Sequence, residues 1–262
     1  MAHLLTIRRT IVFAICALVV MTGAAPPPAD DVVTRALVDE LERSMSLQLE
    51  GLESPYFIQY AVTDTRTHRI SATCGAILNS DASRSRRLQA DVRVGDYYLD
   101  NTNFSGGGRN FGGRSRGRGG GGFGGMAALP IEDDYMAVRQ AVWLATDSAY
   151  KSAVETLARK QAYMEDRNLS DRPADFARVE PIVSIESKAD LKLDRERWEQ
   201  RLRAMSARFL GYPDVLDSQI TLTASAENRY LVNSEGTRLR KGIVGVVLAV
   251  AAQAQAPDGE QL

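Results

Sequence analysis

The side chains able to do chemistry in this 262-residue chain are few, and their spacing limits them further. Only two histidines, His3 and His68, and two cysteines, Cys16 and Cys74, are present. A structural zinc takes four protein ligands and a hydrolytic one about three, usually His and Cys at short spacings. No HExxH or related helical motif occurs. His68 and Cys74 are six residues apart on or near one strand, which places them on the same face but roughly 20 Å apart. That is too far for a Cys–His dyad, and they read as a surface histidine near a turn and a buried free thiol. The carboxylates Glu132, Asp133 and Asp134 stand where acids cap a helix and favour its dipole, rather than where a metal would be held. Gly106–Gly108 and Gly112–Gly113 do not form a phosphate loop, since no GxxxxGK[ST] follows a strand into a helix. The basic tract SRSRR, Ser83–Arg87, is expected to set alternate arginines on a solvated strand face. No catalytic, cofactor-binding or metal-ligating residue is therefore assigned.

The start of the chain bears on this inventory. Arg8 and Arg9 precede an apolar run of eleven residues, Ile11–Met21, followed by Thr22, Gly23, Ala24 and the prolines Pro26–Pro28. A run of that length is short of the roughly 20 residues a membrane span needs and suits a cleaved signal, so residues 1–24 are expected to be a signal peptide. The expected location is exported, periplasmic or secreted, without a stable membrane anchor. Cleavage removes His3, Cys16, Arg8 and Arg9. It lowers the basic count from 32 to 30 against 33 acids, a net charge of −3. No overall field then attracts nucleic acid, and Cys74 alone cannot make an internal disulfide.

The elements that must position everything else alternate between helical and strand periodicity. From Asp30 to Leu49, the residues Val33, Leu37, Leu41, Met45 and Leu49 repeat every fourth position, one helical stripe with Asp30 or Asp31 as its cap and Gly51 as its stop. After Pro55, the tract YFIQYAVTD alternates Tyr56, Ile58, Tyr60 and Val62 as a half-buried strand. Further strands are expected over about Arg69–Leu78 and Arg84–Val94, with a turn at Gly95–Asp96, giving a three-strand antiparallel meander. A long helix runs from Asp134 to about Asp166, with Val138, Val142, Ala145, Ala149, Ala153, Leu157 and Ala158 along one face. A linker with Pro173 and Pro181 leads to a helix carrying Trp198, Leu202, Met205 and Phe209. Ile220, Leu222, Ala224 and Ala226 alternate on a strand that continues through Tyr230–Val232 to a hairpin turn at Asn233–Gly236. A last strand spans Ile243–Ala254 before Pro257-Asp258-Gly259, a turn whose return strand is expected in sequence beyond Leu262. The fold class is α+β, with antiparallel strand meanders and long amphipathic helices packed on the sheet.

Between the third strand and the long helix lies SGGGRNFGGRSRGRGGGGFGG, Ser105–Gly125, with twelve glycines and four arginines. Ordering so much glycine costs more entropy than it returns in burial, so 105–125 is expected to be a disordered Gly/Arg-rich loop. In an exported protein RNA is not its expected partner.

Several tracts together resemble the TldD/PmbA family, metallopeptidases once called modulators of DNA gyrase. They are PYFIQYAVTD, SRSRRLQADVRVGDYYLDNTNF, LPIEDDYMAVRQAVWLATDSAYKSAVETLARKQA and NSEGTRLRKG. The resemblance covers about Asp31 to Leu262 and is to the N-terminal half of exported members. In that family an HExxxH helix and a later cysteine, both in the C-terminal half, hold zinc; neither His68 nor Cys74 matches them. What the resemblance implies is a TldD/PmbA-like N-terminal α/β domain over 25–262 with the C-terminal metallopeptidase domain absent. Such a fragment or truncated paralogue would contribute to assembly or peptide binding without itself being catalytic. Zinc is expected only in the missing half, and the expected partner is a TldD/PmbA-like subunit in a homo- or hetero-oligomer. The alternative is a non-enzymatic envelope scaffold whose Gly/Arg-rich loop contacts an anionic partner.

Overall fold

A computed structural model describes residues 31–46, 52–104, 126–167 and 173–254. The tract 105–125, the segment 1–24, Gly51 and the Pro257-Asp258-Gly259 turn lie outside the described residues. The fold is α+β: a six-stranded mixed sheet, mostly antiparallel, with three helices.

Each helix starts where an aspartate can satisfy its free amides. The Asp31 carboxylate accepts from the Thr34 amide at 2.9 Å and opens α1, Val32–Met45. Asp134 accepts from the Ala137 amide at 2.9 Å and opens α2, Tyr135–Asp166. Asp194 accepts from the Arg197 amide at 3.1 Å and opens α3, Arg195–Ser206. Helix α1 ends at Met45, short of the expected Leu49, with the Ser46 amide donating back to the Arg43 carbonyl. Helix α2 has the expected span, but its apolar residues are not confined to one face. Met136, Trp143, Leu144 and Ala158 are exposed, while Thr146 and Lys160 are buried.

The expected three-strand meander is two strands. β1, Pro55–Thr73, and β2, Ala76–Val94, are 19 residues each and pair along their whole length. They turn at Cys74–Gly75, both at positive φ (44° and 83°), as a two-residue hairpin with right-handed strand twist requires. A polar connection was expected between the strand tract ending at Asp64 and the next strand at about Arg69. Its β-branched threonines instead continue the strand, because Thr63, Thr65 and Thr67 lie on the half-exposed face of the sheet. The turn at Gly95–Asp96 forms as expected, with Gly95 at φ 95° and Asp96 accepting from the Tyr98 and Leu99 amides.

β3, Met126–Ala128, lies beside β2. β5, Val215–Asn233, and β6, Arg238–Ala254, form a second long hairpin through Asn233–Gly236, where the Asn233 side chain accepts from the Glu235 and Thr237 amides. The hairpins join by antiparallel pairing of β1 with β5, from Gln59↔Asn233 to Ala72↔Ile220. β4, Val183–Ile185, runs parallel to β6 at Arg238–Arg240, giving the order β3-β2-β1-β5-β6-β4.

All three helices pack on the face carrying the even-numbered residues of β1 and β5, over two separate cores. One gathers Val33, Leu37, Val138, Val142 and Leu157 against Tyr60, Val62, Leu88, Val92, Tyr230 and Val232. The other seats Leu202, with Trp198, Met205 and Phe209 beside it, on Ile70, Ala72, Ile220 and Leu222. Between the two cores this face of β1 presents Asp64, Arg66 and His68.

Candidate functional site

His68 sits mid-strand, opposite Ala82 and Ala224, whereas Cys74 occupies the hairpin turn. Cys74 is exposed rather than buried as expected, because a tight turn puts its side chain beyond the last pair of the ladder. Its sulfur lies 3.9 Å from Ser218 Oγ. The structure does not bring His68 and Cys74 together. Among the described residues no group of three or more His, Cys, Asp or Glu is placed to hold a metal ion.

The three acids ahead of α2 divide their work. Asp134 alone is the cap; Asp133 pairs with Arg86 at 2.6 Å, and the Glu132 carbonyl accepts from the same guanidinium at 3.2 Å. The expectation of a solvated arginine face is overturned here. Arg84 and Arg86 share parity with Leu88, Ala90 and Val92, so they point to the covered face; Arg87, one residue on, is exposed. Arg86 is fully buried and uses its donors on Asp64 Oδ2 (3.0 and 2.7 Å), Asp133, and the carbonyls of Pro130 and Glu132. Arg84 adds a two-pronged contact to Asp64 at 3.0 and 2.7 Å. Burial pushes the Asp64 carboxyl up, but the hydrogen bonds and charges of Arg84 and Arg86 outweigh it and hold the group below its usual range.

A second pair continues the network. Asp31 receives Arg240 at 2.8 Å and Lys188 at 3.2 Å, while Arg240 also donates to the Glu186 carbonyl. Burial raises the Asp31 carboxyl; the Thr34 amide, Lys188 and Arg240 more than offset that and lower it. Further along α2, buried Lys160 donates to the carbonyls of Asp100 (2.8 Å) and Thr102 (2.6 Å) and to Asp175 at 2.5 Å. This lysine ties the segments around Thr102 and Asp175 to the helix. These ions are answered by one another and by backbone carbonyls, and what they do is fix elements in place.

Unlike these ion clusters, the outer edge of β6 is open among the described residues. Its first residues are flanked by β4, and near Gly242 the loop Ser187–Ala189 closes over the strand; a Cβ on Gly242 would stand 2.7 Å from the Ala189 nitrogen. That loop is held by the Asn228 side chain, which donates to the Ala189 carbonyl and accepts from its amide. From Gly242 to Ala254 the outer edge pairs with no other described strand. Ile243, Val244, Val246, Val247, Leu248 and Val250 are 39–62% exposed, on both faces of the strand. The segment contains no proline and no charge. An edge of this kind is a template for another strand, and natural edges normally carry charges, proline or a bulge to prevent such pairing. Within the described residues this is the surface with the clearest capacity to act on another molecule.

Sequence reasoning placed β6 as a strand but missed its exposure. An uncharged apolar run ordinarily marks a strand buried on both sides. The inward parity of Arg84 and Arg86 with Leu88, Ala90 and Val92 was a signal that could have revealed the buried ion cluster.

No family model matches the sequence, and no curated protein matches it. Among solved structures, the fold is similar to that of TldE from Thermococcus kodakarensis, at 10% identity and a TM-score of 0.43, over 86% of this chain and 40% of that one. It is also similar to a protein from Bacteroides thetaiotaomicron described as a modulator of DNA gyrase, at 11% identity and 0.45, over 86% and 42%. A third, from Thermotoga maritima and described in the same way, aligns at 8% identity and 0.38, over 78% and 37%. These are proteins of the TldD/PmbA family. The chain spans about two fifths of the length of each.

Proposed function

We propose that this chain is an exported TldD/PmbA-like module that serves assembly or peptide binding, with any hydrolytic zinc centre supplied by other sequence. The observation that carries the reading is the open apolar edge of β6. Among the described residues the sheet leaves six large aliphatic side chains and a row of backbone hydrogen-bonding groups of β6 uncovered, an edge suited to pairing with another polypeptide segment. The resemblance of the four sequence tracts supplies the class of partner, a TldD/PmbA-like subunit, and the class of chemistry, peptide hydrolysis. The donor inventory supports the division of labour, since His68 and Cys74 stand on separate parts of the hairpin.

The test is metal content after dialysis together with turnover of unstructured peptides, with and without a full-length TldD/PmbA-like protein. The expected result is no stoichiometric zinc on this chain, no chelator-sensitive cleavage by it alone, and co-elution with the added subunit. Stoichiometric zinc and chelator-sensitive cleavage by the isolated chain would overturn the proposal.

A further inference from the structure

On the helix-covered face of the sheet, four register partners form one row between the two cores: Arg86 on β2, Asp64 on β1, Asn228 on β5 and Gly242 on β6. The first two belong to the ion cluster. The other two hold a length of the chain itself, Glu186–Asp190, which leaves β4 and crosses β6 and β5 on its way to α3. We infer that Asn228 and Gly242 form a binding site for the main chain of an extended peptide. Asp31 and Asp133 select a lysine or arginine just before the clamped residue, and the chain's own segment fills the site until such a peptide displaces it. This deepens the peptide-binding part of the proposed function and rests on that reading, but makes no use of the β6 edge.

The site reads backbone. The Asn228 side chain donates to the Ala189 carbonyl at 3.0 Å and accepts from the Ala189 amide at 2.7 Å. A residue whose N–H and C=O both meet one partner is paired as in an antiparallel ladder, so the carboxamide stands in for a neighbouring strand. Arg240 donates to the Glu186 carbonyl at 2.7 Å, again a main-chain atom. Gly242 makes room for this approach. A Cβ there would stand 2.7 Å from the Ala189 nitrogen and 2.8 Å from the Ser187 oxygen. Its φ lies outside the left-handed region, so the strand does not need a glycine at this position, whereas close passage of a second backbone does.

The present occupant is held lightly. Glu186–Asp190 contributes no side chain to either hydrophobic core, and only Ala189 is half-buried, the other four residues being exposed. Asp190 meets Arg66 at 3.5 Å with both side chains at least half exposed, a contact that adds little. Lys188 is the exception, 3.2 Å from Asp31 and 3.8 Å from Asp133. Release of the segment therefore uncovers little apolar surface, and a ligand that reproduces the two Asn228 bonds and the cation replaces what is lost.

The experiment uses the full chain and a fluorescent peptide of the segment's own sequence, VSIESKADLK. In the double variant Lys188→Ser/Ala189→Pro the segment loses its ammonium and the amide that Asn228 accepts from. This variant is expected to bind the probe at least about tenfold more tightly than wild type, whose own segment competes at an effective concentration in the millimolar range. Adding Asn228→Ala or Gly242→Val abolishes that binding. N-methylation of the probe at its alanine, or glutamate in place of its first lysine, weakens it. Equal binding by wild type and the double variant, or binding indifferent to Asn228→Ala, overturns the inference. A second measurement needs no variant: on wild type, excess probe is expected to accelerate amide exchange at Ser187–Leu191, and unchanged exchange overturns the inference as well. Probe binding that survives Asn228→Ala but is lost in Val247→Lys belongs to the β6 edge, which removes this site and leaves the proposed function standing. If no form binds the probe and none co-elutes with a TldD/PmbA-like subunit, both fall.

Discussion

Replacing Asp64 with alanine isolates the energetics of the buried ion cluster. The substitution removes four charge-assisted contacts, two from Arg84 and two from Arg86, at 2.7–3.0 Å. Leaving one buried ion without its partner costs about 3–5 kcal/mol. Arg86 keeps Asp133 and the carbonyls of Pro130 and Glu132, and Arg84 is partly solvated, so the expected loss is at the lower end, about 3 kcal/mol. With a urea slope of roughly 3 kcal/mol per molar, the unfolding midpoint falls by about 1 M. The double variant Asp64→Ala/Arg86→Met separates pairing from packing, because it removes the fully buried charge and leaves Arg84 and Asp133, 3.7 Å apart, to answer each other; it is expected to recover most of the loss. The pH dependence is a second readout. Asp64 and Asp31 have folded-state values below the usual carboxylate range. Their contribution is therefore present above about pH 4 and is lost as pH falls through those lowered values. The wild-type midpoint drops over that acid window, and Asp64→Ala flattens the drop. A loss under about 1 kcal/mol at neutral pH, with an unchanged acid profile, would refute the account of Asp64 as the anchor of two inward arginines.

Two further substitutions test other parts of the frame. Lys160→Met leaves Asp175 buried without its ammonium partner and releases the carbonyls of Asp100 and Thr102; stability falls by about 3 kcal/mol, and amide exchange accelerates first around Asp100–Asn103 and Asp175–Phe176. Gly75→Val forces a β-branched residue to φ 83° with its Cβ 3.3 Å from that of Ala207, so thermal unfolding shifts down by at least about 1 kcal/mol, whereas a neutral result would show that the turn relaxes freely.

What the sequence revealed followed from how local each signal is. The starts of α1 and α2 were legible because an aspartate ahead of a helical stretch acts within one turn, whereas the Asp194 cap of α3 was passed over. The Asn233–Gly236 hairpin was legible because Asn and Gly satisfy that turn themselves. The join between β1 and β2 was not, since Cys74–Gly75 lacks the usual Asn-Gly or Asp-Gly turn pair and the polar residues between Asp64 and Arg69 looked like a connection. The burial of Arg86 was misjudged because the compensating groups come from elsewhere: Asp64 on the neighbouring strand, Asp133 some 47 positions along the chain. Lys160 was passed over for the same reason, since its acceptors lie 58 and 60 residues away. Exposure of β6 is a property of sheet order, and no window along the chain contains that order.

The seam between β1 and β5 has a kinetic consequence. Each hairpin closes through a short turn, so β1–β2 and β5–β6 can zip locally on the microsecond scale typical of hairpins. The seam, in contrast, unites residues as distant as Ile58 and Ser234, whose amide–hydroxyl bond spans 176 positions. Closing that loop costs chain entropy before the contacts return any of it, which makes docking of the two hairpins the slow step. Until they dock, Tyr60 and Val62 face no Tyr230 or Val232, and the core beneath α1 and α2 is half built. During that interval the chain exposes both edges of the future seam as well as β6, the kind of unpaired edge that makes a folding intermediate prone to aggregate.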